Sequence, residues 1–362
     1  MKIAIVGTRG IPNNYGGFEQ FAECFAIYLA DLNHDVYVYN SHNHIFQESN
    51  YKGVNIIHQY DPEDKIGTVG QFFYDLNCIL DSRKKKFDII LQLGYTSSSI
   101  WSFLLPKKAI IITNMDGLEW KRSKYSKIIQ KFLKFAEKQA VKSSDHLIAD
   151  SLEIKKYLKE KYNKDASYIA YGAEAFLLQN EDLLTQYKVE KFNFNLLIAR
   201  FEPENNIEII LDGVVASHDN KVVLIVGNNE NTFGNYLKNK FSKYDNIHFI
   251  GGIYNKEHLD NLRYYSNIYF HGHSVGGTNP SLLEAMAAKA LILAHNNEFN
   301  RSILQNNAFY FLNAMDVKDL IENVKRKDHE KMIQENFDTI IQEFNWKKIN
   351  ESYLKLFENK LQ

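Results

Sequence analysis

Short unbroken apolar runs alternate with stretches of helical spacing from one end of the chain to the other. Lys2-Ile3-Ala4-Ile5-Val6 reads as a first strand that runs into a loop, Gly7 to Gly17, after which Phe18 to Leu32 carries Phe21, Phe25, Tyr28, Leu29 and Leu32 at helical intervals. Asp35–Tyr39, Val54–His58, Asp88–Leu91, Ala109–Thr113 and His146–Ala149 are further predicted strands. None alternates strictly between apolar and polar, as expected of parallel strands covered on both faces by crossover helices. The pattern fades between Tyr171 and Phe192 and restarts at Phe194-Asn195-Leu196-Leu197-Ile198-Ala199. It then continues through Val222–Val226, Ile247–Ile250, Ile268–His271, Leu291–Ala294 and Phe309–Phe311. The prediction is α/β, with two doubly wound domains over residues 1–173 and 193–345 and a linker at about 174–192. The stretch 346–362, amphipathic through Ile349, Tyr353, Leu354 and Phe357, is expected to complete the first domain. Ligands of such sheets bind just outside the carboxyl ends of the strands. Both domains are therefore expected to present those ends to one cleft.

Composition closes off several classes of function. Of 362 residues 45% are hydrophobic and 24% charged, enough apolar material for two cores, and a net charge of −1 argues against a nucleic-acid binder. Two cysteines, Cys24 and Cys78, exclude a disulfide scaffold and fit a reducing compartment. There is no signal-peptide-like apolar segment and no apolar run of membrane-spanning length, so a cytoplasmic, non-spanning protein is expected. One region departs from neutrality. Residues 120–142 hold Lys121, Arg122, Lys124, Lys127, Lys131, Lys134, Lys138 and Lys142 against Glu137, interleaved with Ile128, Ile129, Phe132, Phe135 and Ala136. This reads as a helix whose basic face, through Lys124, Lys127, Lys131 and Lys134, suits the anionic inner surface of a membrane. The alternative is a solvated face whose apolar stripe packs on the core.

Three segments carry candidate chemistry. The first loop, Gly7-Thr8-Arg9-Gly10-Ile11-Pro12-Asn13-Asn14-Tyr15-Gly16-Gly17-Phe18-Glu19, has neither the dinucleotide fingerprint nor a Walker lysine. Gly16 and Gly17 at a helix start open backbone N–H groups to an anion, or else form a turn. The second, Gly272-His273-Ser274-Val275-Gly276-Gly277-Thr278-Asn279-Pro280-Ser281-Leu282-Leu283-Glu284, follows a strand and opens a helix, with Asn279 as N-cap and Pro280 as first residue. The N–H groups of that first turn are a second candidate anion site. Glu284, one turn further in, suits ribose hydroxyls, or is a structural carboxylate. The third, Ala199-Arg200-Phe201-Glu202-Pro203-Glu204-Asn205, sets Arg200 at a strand end, where it can grip a phosphate or form a surface ion pair.

With these segments the sequence resembles a family 4 glycosyltransferase of the GT-B fold, two Rossmann-like domains facing a cleft. Arg200 with Pro203-Glu204, and Glu284-Ala285-Met286, resemble that family's donor site. The N-terminal block is similar to a narrower subgroup, whose first domain was long catalogued as being of unknown function. That subgroup includes bacterial rhamnosyltransferases of capsule and cell-wall polysaccharide assembly. Tyr39-Asn40-Ser41-His42, Gln92-Leu93-Gly94-Tyr95, Asn114-Met115-Asp116-Gly117-Leu118-Glu119-Trp120-Lys121-Arg122 and Gly276-Gly277-Thr278-Asn279-Pro280-Ser281 fit it too.

The resemblance implies a retaining transfer of a sugar, rhamnose first among the candidates, from a nucleotide diphosphate to a lipid-linked saccharide. A different hexose or N-acetylhexosamine donor, or a non-catalytic nucleotide-sugar-binding subunit, are the alternatives. It further implies that Gly16 and Gly17 face the diphosphate, that Arg200 neutralises it, that the helix start Thr278–Leu282 cradles it, and that Glu284 binds ribose. Two positions depart from the family pattern: its second basic residue is Asn205 here and its first glutamate is Gly276. Arg9 is the candidate for the missing cation. No Asp-x-Asp stands at a strand end and no histidine spacing suits a metal, so no metal and no cofactor beyond the nucleotide-sugar substrate are expected. Asp116, after the strand Ala109–Thr113, is the first candidate to orient or deprotonate the acceptor hydroxyl. Glu19 and Glu119 are weaker ones, with a helix-capping role as the alternative for Glu19.

Overall fold

A computed structural model describes the whole chain except Tyr15, which lies in the first glycine-rich block, and Ser123. It divides into two compact units: Met1–Trp120, Tyr125–Tyr171 and Trp346–Gln362 in the first, Lys121–Lys124 and Gly172–Asn345 in the second.

The first unit is built on an eight-stranded sheet: β1 (Lys2–Val6), β2 (Asp35–Ser41), β3 (Asn50–Tyr51), β4 (Val54–Gln59), β5 (Ile89–Leu93), β6 (Ile110–Asn114), β7 (His146–Ala149) and β8 (Ala166–Tyr168). The spatial order is β3-β4-β2-β1-β5-β6-β7-β8, with every pair parallel except β3–β4. Ile3, Ala4, Ile5 and the whole of β5 are buried, so the unbroken apolar runs correspond to strands covered on both faces. At β3–β4 the two-residue turn Lys52–Gly53 takes positive φ at both positions, the geometry of a tight hairpin. The helix Gly17–Asp31 turns Phe21 and Phe25 inward, where they meet Tyr353 and Phe357 of the helix Trp346–Leu361 at centroid distances of 4.6 and 5.6 Å. Burying aromatics of this size is worth about 1.5–3 kcal/mol each. Tyr353 also accepts a hydrogen bond from Asn114 Nδ2 (3.0 Å), tying that helix to the end of β6.

The basic stretch departs from the expected single helix. Glu119–Lys121 is a short 3-10 turn, and the α-helix begins only at Lys127 and runs to Ser143. Ser126 sets that start, its Oγ accepting from the Ile129 N–H as N-cap. Lys124 therefore lies ahead of the helix, and its Nζ pairs with Glu202 Oε1 at 2.9 Å. Glu137 does not dilute the basic face either. It is buried and accepts from Trp120 Nε1, the Tyr157 and Tyr162 hydroxyls and Lys161 Nζ. Leu133, Ala136, Ala140 and Val141 pack inward, while Ile128, Ile129 and Phe135 stay exposed among Lys127, Lys131, Lys134 and Lys138. Lys134 lies 4.2 Å from the Trp120 ring centroid.

The second unit holds a six-stranded, wholly parallel sheet: β9 (Phe194–Ile198), β10 (Val222–Val226), β11 (Ile247–Gly251), β12 (Ile268–His271), β13 (Ile292–His295) and β14 (Phe309–Phe311), in the order β11-β10-β9-β12-β13-β14. Its core gathers Leu197, Val223, Ile225, Phe270, Leu293 and Phe311 from the strands with Ile207, Ile210 and Leu211 from the helix Ile207–Ala216.

Candidate functional site

In each sheet the strand order reverses once about a central strand, and such a reversal opens a crevice at the strands' carboxyl ends. In the second unit it falls between β9 and β12. The loops that leave those two strands are the Arg200 loop and the Gly272–Thr278 loop. They are laced together: Ser274 donates from its backbone N–H (3.1 Å) and its hydroxyl (2.7 Å) to the Glu204 carbonyl, and Asn206 Nδ2 donates to the Gly272 carbonyl (2.7 Å). Gly272 has no room for a side chain, since a Cβ there would stand 2.0 Å from the Asn205 carbonyl oxygen. Asn205 is buried, and its Nδ2 donates to the Arg200 carbonyl (2.8 Å). At the position where the family pattern has a cation, this chain thus has an amide that shapes the Arg200 loop. Arg200 itself is exposed.

Asn279 is the N-cap of the helix Pro280–Ala287, its side chain accepting from the Ser281 N–H at 2.9 Å. The Leu282 N–H turns back to the Asn279 carbonyl (3.0 Å). This corrects the expectation that the first-turn donors stand open to an anion: Ser281 and Leu282 are already engaged within the cap. The Ser281 hydroxyl also points inward, to the Tyr269 hydroxyl at 2.8 Å. Thr278 and Leu282 are buried. Gly276 adopts φ +137° with nothing within 4 Å of an added Cβ, so a glutamate there would meet open space but a strained backbone.

Glu284 is held by a residue that periodicity alone could not single out. Arg263, almost fully buried at the end of the helix Lys256–Tyr265, pairs with Asp260 (2.9 Å) and with Glu284 Oε2 (2.5 Å). Burial works against its charge, and Glu284, Tyr269 and Asp260 outweigh that, holding the guanidinium above its ordinary pKa. Two histidines stack beside this cluster, His271 on His273 at 4.5 Å. His273 is pushed down to about 3 by burial, then by Arg200 and Arg122, so it is neutral at physiological pH.

In the first unit the strand order reverses between β1 and β5, where the first glycine-rich loop departs. Gly16 is the N-cap of the helix Gly17–Asp31 and, being glycine, offers no side-chain cap. Glu19 is buried, and its Oε1 accepts the Arg9 backbone N–H (2.8 Å), so its carboxylate shapes the loop. The guanidinium of Arg9 forks onto Glu63, with Nε to Oε2 at 3.1 Å and Nη2 to Oε1 at 2.8 Å. Arg9, the candidate for the missing cation, is thus ion-paired with Glu63. Both line a cavity of about 250 Å³ with Asn14, Asn43, His44 and Asp61. Asp116 follows β6 in the left-handed region, at φ +47°, its N–H donating to Asn114 Oδ1 (2.9 Å). Glu119 opens the 3-10 turn after it.

Comparison with known proteins decides the class. Residues 180–358 match the family described as Glycosyl transferases group 1, and residues 1–174 match a domain of unknown function, DUF1972. The second half is a group 1 glycosyl transferase domain. The chain is thus a transferase, with the α/β fold of the GT-B glycosyltransferases. It is 26% identical, over 405 aligned positions covering 99% of this chain and 98% of the relative, to an uncharacterized glycosyltransferase of Methanocaldococcus jannaschii. Among solved structures, sucrose-phosphate synthase from Thermosynechococcus elongatus superposes with a TM-score of 0.80 at 15% identity, covering 99% of this glycosyltransferase and 98% of that chain. Anabaena HepE, crystallised with UDP and glucose, superposes with a TM-score of 0.77 at 15% identity, covering 99% and 100%.

Proposed function

We propose that this glycosyltransferase moves a sugar, with retention of configuration, from a nucleotide diphosphate to a lipid-linked saccharide at the inner face of a bacterial membrane during surface polysaccharide assembly. The observation that carries the donor half is Arg200 at the switch point of the second sheet, one strand away from the loop that leads into the Pro280–Ala287 helix. HepE, of like fold, binds UDP and glucose, which supports a nucleotide sugar as donor. In this reading Arg200 and the Gly276–Thr278 backbone meet the diphosphate, and Glu284 meets the ribose. The bond from the sugar to the diphosphate breaks as the acceptor oxygen bonds the same carbon on the same face, with Asp116 orienting the acceptor hydroxyl and accepting its proton. Rhamnose as the sugar rests on the resemblance of the N-terminal block. The first unit's cavity, lined by amides and carboxylates around a neutralised arginine, suits the hydroxyls of the acceptor saccharide.

Arg200→Ala should weaken nucleoside diphosphate binding by about 1.5–3 kcal/mol, the range for a lost charge-assisted hydrogen bond, and lower turnover with it. Titration calorimetry checks this, and an unchanged affinity refutes the donor assignment. Thermal stabilisation by a panel of nucleotide sugars identifies the donor, since a ligand at 100 times its Kd adds about 2.7 kcal/mol.

The membrane half rests on the helix Lys127–Ser143, where Ile128 is 81% and Phe135 49% exposed among lysines. Among the described residues no helix is long and apolar enough to cross a membrane. Lysines near an anionic surface contribute about 1 kcal/mol each, and the exposed apolar side chains add a contribution that salt does not screen. Replacing Lys127, Lys131 and Lys138 with Glu is expected to abolish sedimentation with anionic vesicles. Ile128→Ser with Phe135→Ser should keep binding at low salt and lose it at high salt. Sedimentation of the triple-Glu variant equal to wild type would leave the basic face as a solvated helix surface.

A further inference from the structure

We infer that the second unit carries a further ligand site, at the end of its sheet opposite the Arg200 loop, which takes a small organic anion with an apolar or aromatic body. The site is a cavity of about 1090 Å³. That is the upper end of the range for small-molecule pockets, roughly 300–1,000 Å³. Phe192, Lys221, Asn267 and Lys289 line it and precede β9, β10, β12 and β13 by one to three residues, so it lies at the amino ends of those strands. The loops read as the donor site leave the carboxyl ends of β9 and β12. All the lining residues belong to the second unit. Ile321, Val324 and Ile333, each buried, give the cavity an apolar wall, and Phe192, 40% exposed, adds an aromatic ring.

Arg326 gives the cavity its preference for an anion. Its side chain is mostly buried on the cavity wall, and Nη2 donates to the Tyr264 carbonyl (3.3 Å) and the Lys289 carbonyl (2.7 Å). The Phe192 ring centroid lies 4.9 Å from its Cζ, and Nη1 is buried with no hydrogen-bond partner. Among the described residues no carboxylate stands within ion-pair distance of it. Burial pulls this guanidinium down to about 10, and the attraction of Tyr264 and of the exposed Glu330 does not restore it. Arg263 of the same unit is the contrast: it too is buried, but two carboxylates hold it above its ordinary value. A buried charge without its counter-charge is costly, and a negative group in the cavity offsets that cost. Lys289, Lys325 and Lys327 line the same cavity, and their flexible stems carry ammonium donors to such a group. The other two acids of the lining are engaged: Asp219 pairs with Lys221 (3.1 Å), and Glu322 accepts the His218 N–H (3.0 Å).

The test titrates the full chain with anilinonaphthalene sulfonate, an aromatic anion that fluoresces in apolar sites, and with its uncharged analogue phenylnaphthylamine. Ile128→Ser with Phe135→Ser is the background throughout, because that exposed basic helix also attracts the dye. One saturable sulfonate site is expected, undisturbed by UDP, GDP or dTDP. Arg326→Met should weaken the sulfonate about tenfold, and Lys325→Glu with Lys327→Glu about fivefold, while phenylnaphthylamine stays within a factor of about two. The lysine pair is exposed, so its replacement leaves the fold intact and keeps the test valid if Arg326→Met loosens the cavity wall. Phenyl phosphate and benzoate, used as competitors, tell a phosphate-bearing ligand from a carboxylate-bearing one, and displacement by either supports the site. Displacement by the nucleoside diphosphates, displacement by neither competitor, or equal weakening of both dyes in the lysine variant overturns the inference.

Discussion

Arg263→Met is expected to destabilise the chain by about 3–5 kcal/mol, the range for removing one partner of a buried ion pair. The guanidinium is 2% exposed and sits between Asp260, 4% exposed, and Glu284, 20% exposed. Methionine fills much of the volume but leaves the Asp260 carboxylate buried, with Lys256 to offset it among the described residues. Glu284 loses the Arg263 Nη2 contact at 2.5 Å at the same time, while the Ser281 hydroxyl keeps the Tyr269 hydroxyl at 2.8 Å. Nucleotide affinity should therefore fall together with stability. Glu284→Gln should cost much less stability, because Asp260 still neutralises Arg263. Urea denaturation of the two variants, with nucleotide binding measured on the folded fraction, distinguishes these effects. A loss below about 1 kcal/mol for Arg263→Met would show that the cluster carries no net stabilisation.

The second large effect is chemical. Asp116→Asn is expected to lower transfer by about 10²–10⁴, the range for losing a positioned acid–base group, with nucleoside diphosphate affinity unchanged. Asparagine is the informative replacement because of the backbone. Residue 116 sits at φ +47°, a region that Asn and Asp tolerate and most side chains do not. Asp116→Ala would mix lost chemistry with a strained turn. Asp116→Asn keeps shape and backbone and removes the negative charge and with it the ability to take a proton. Transfer at the wild-type rate would remove Asp116 from the chemistry.

The sheet architecture was largely legible because buried parallel strands leave continuous apolar runs, as in Ile3–Val6 or Val222–Val226. The strands of two and three residues, Asn50–Tyr51 and Ala166–Tyr168, are too short to show a period, and the first depends on a tight turn at Lys52–Gly53. The start of the basic helix was misplaced because lysines are good helix formers, while Ser126 decides where the first turn closes. Asn279 as a cap was readable from its place before Pro280. That its cap would engage the Ser281 and Leu282 donors was not, because it depends on three-dimensional closure of the turn. Arg263 and Glu137 left no mark in the pattern. Glu137 is held by Trp120, Tyr157, Lys161 and Tyr162, 17 to 25 residues away, and Arg263 by Glu284, 21 residues on, as well as by Asp260 one turn before it, so their burial is set only by folding. Nothing in the Arg9 loop likewise announces Glu63, 54 residues on, onto which its guanidinium forks.

The helix Trp346–Leu361 has a consequence for how the protein is made. Phe21 and Phe25 emerge from the ribosome early, yet their aromatic partners Tyr353 and Phe357 are more than 320 residues further along the chain. Domains ordinarily fold in the order of synthesis. Here the first unit must wait, with two phenylalanines short of their C-terminal partners, while the entire second unit is translated. A nascent chain halted at residue 345 should therefore be a client for chaperones that bind exposed aromatic surface, and should resist proteolysis in its second unit before its first.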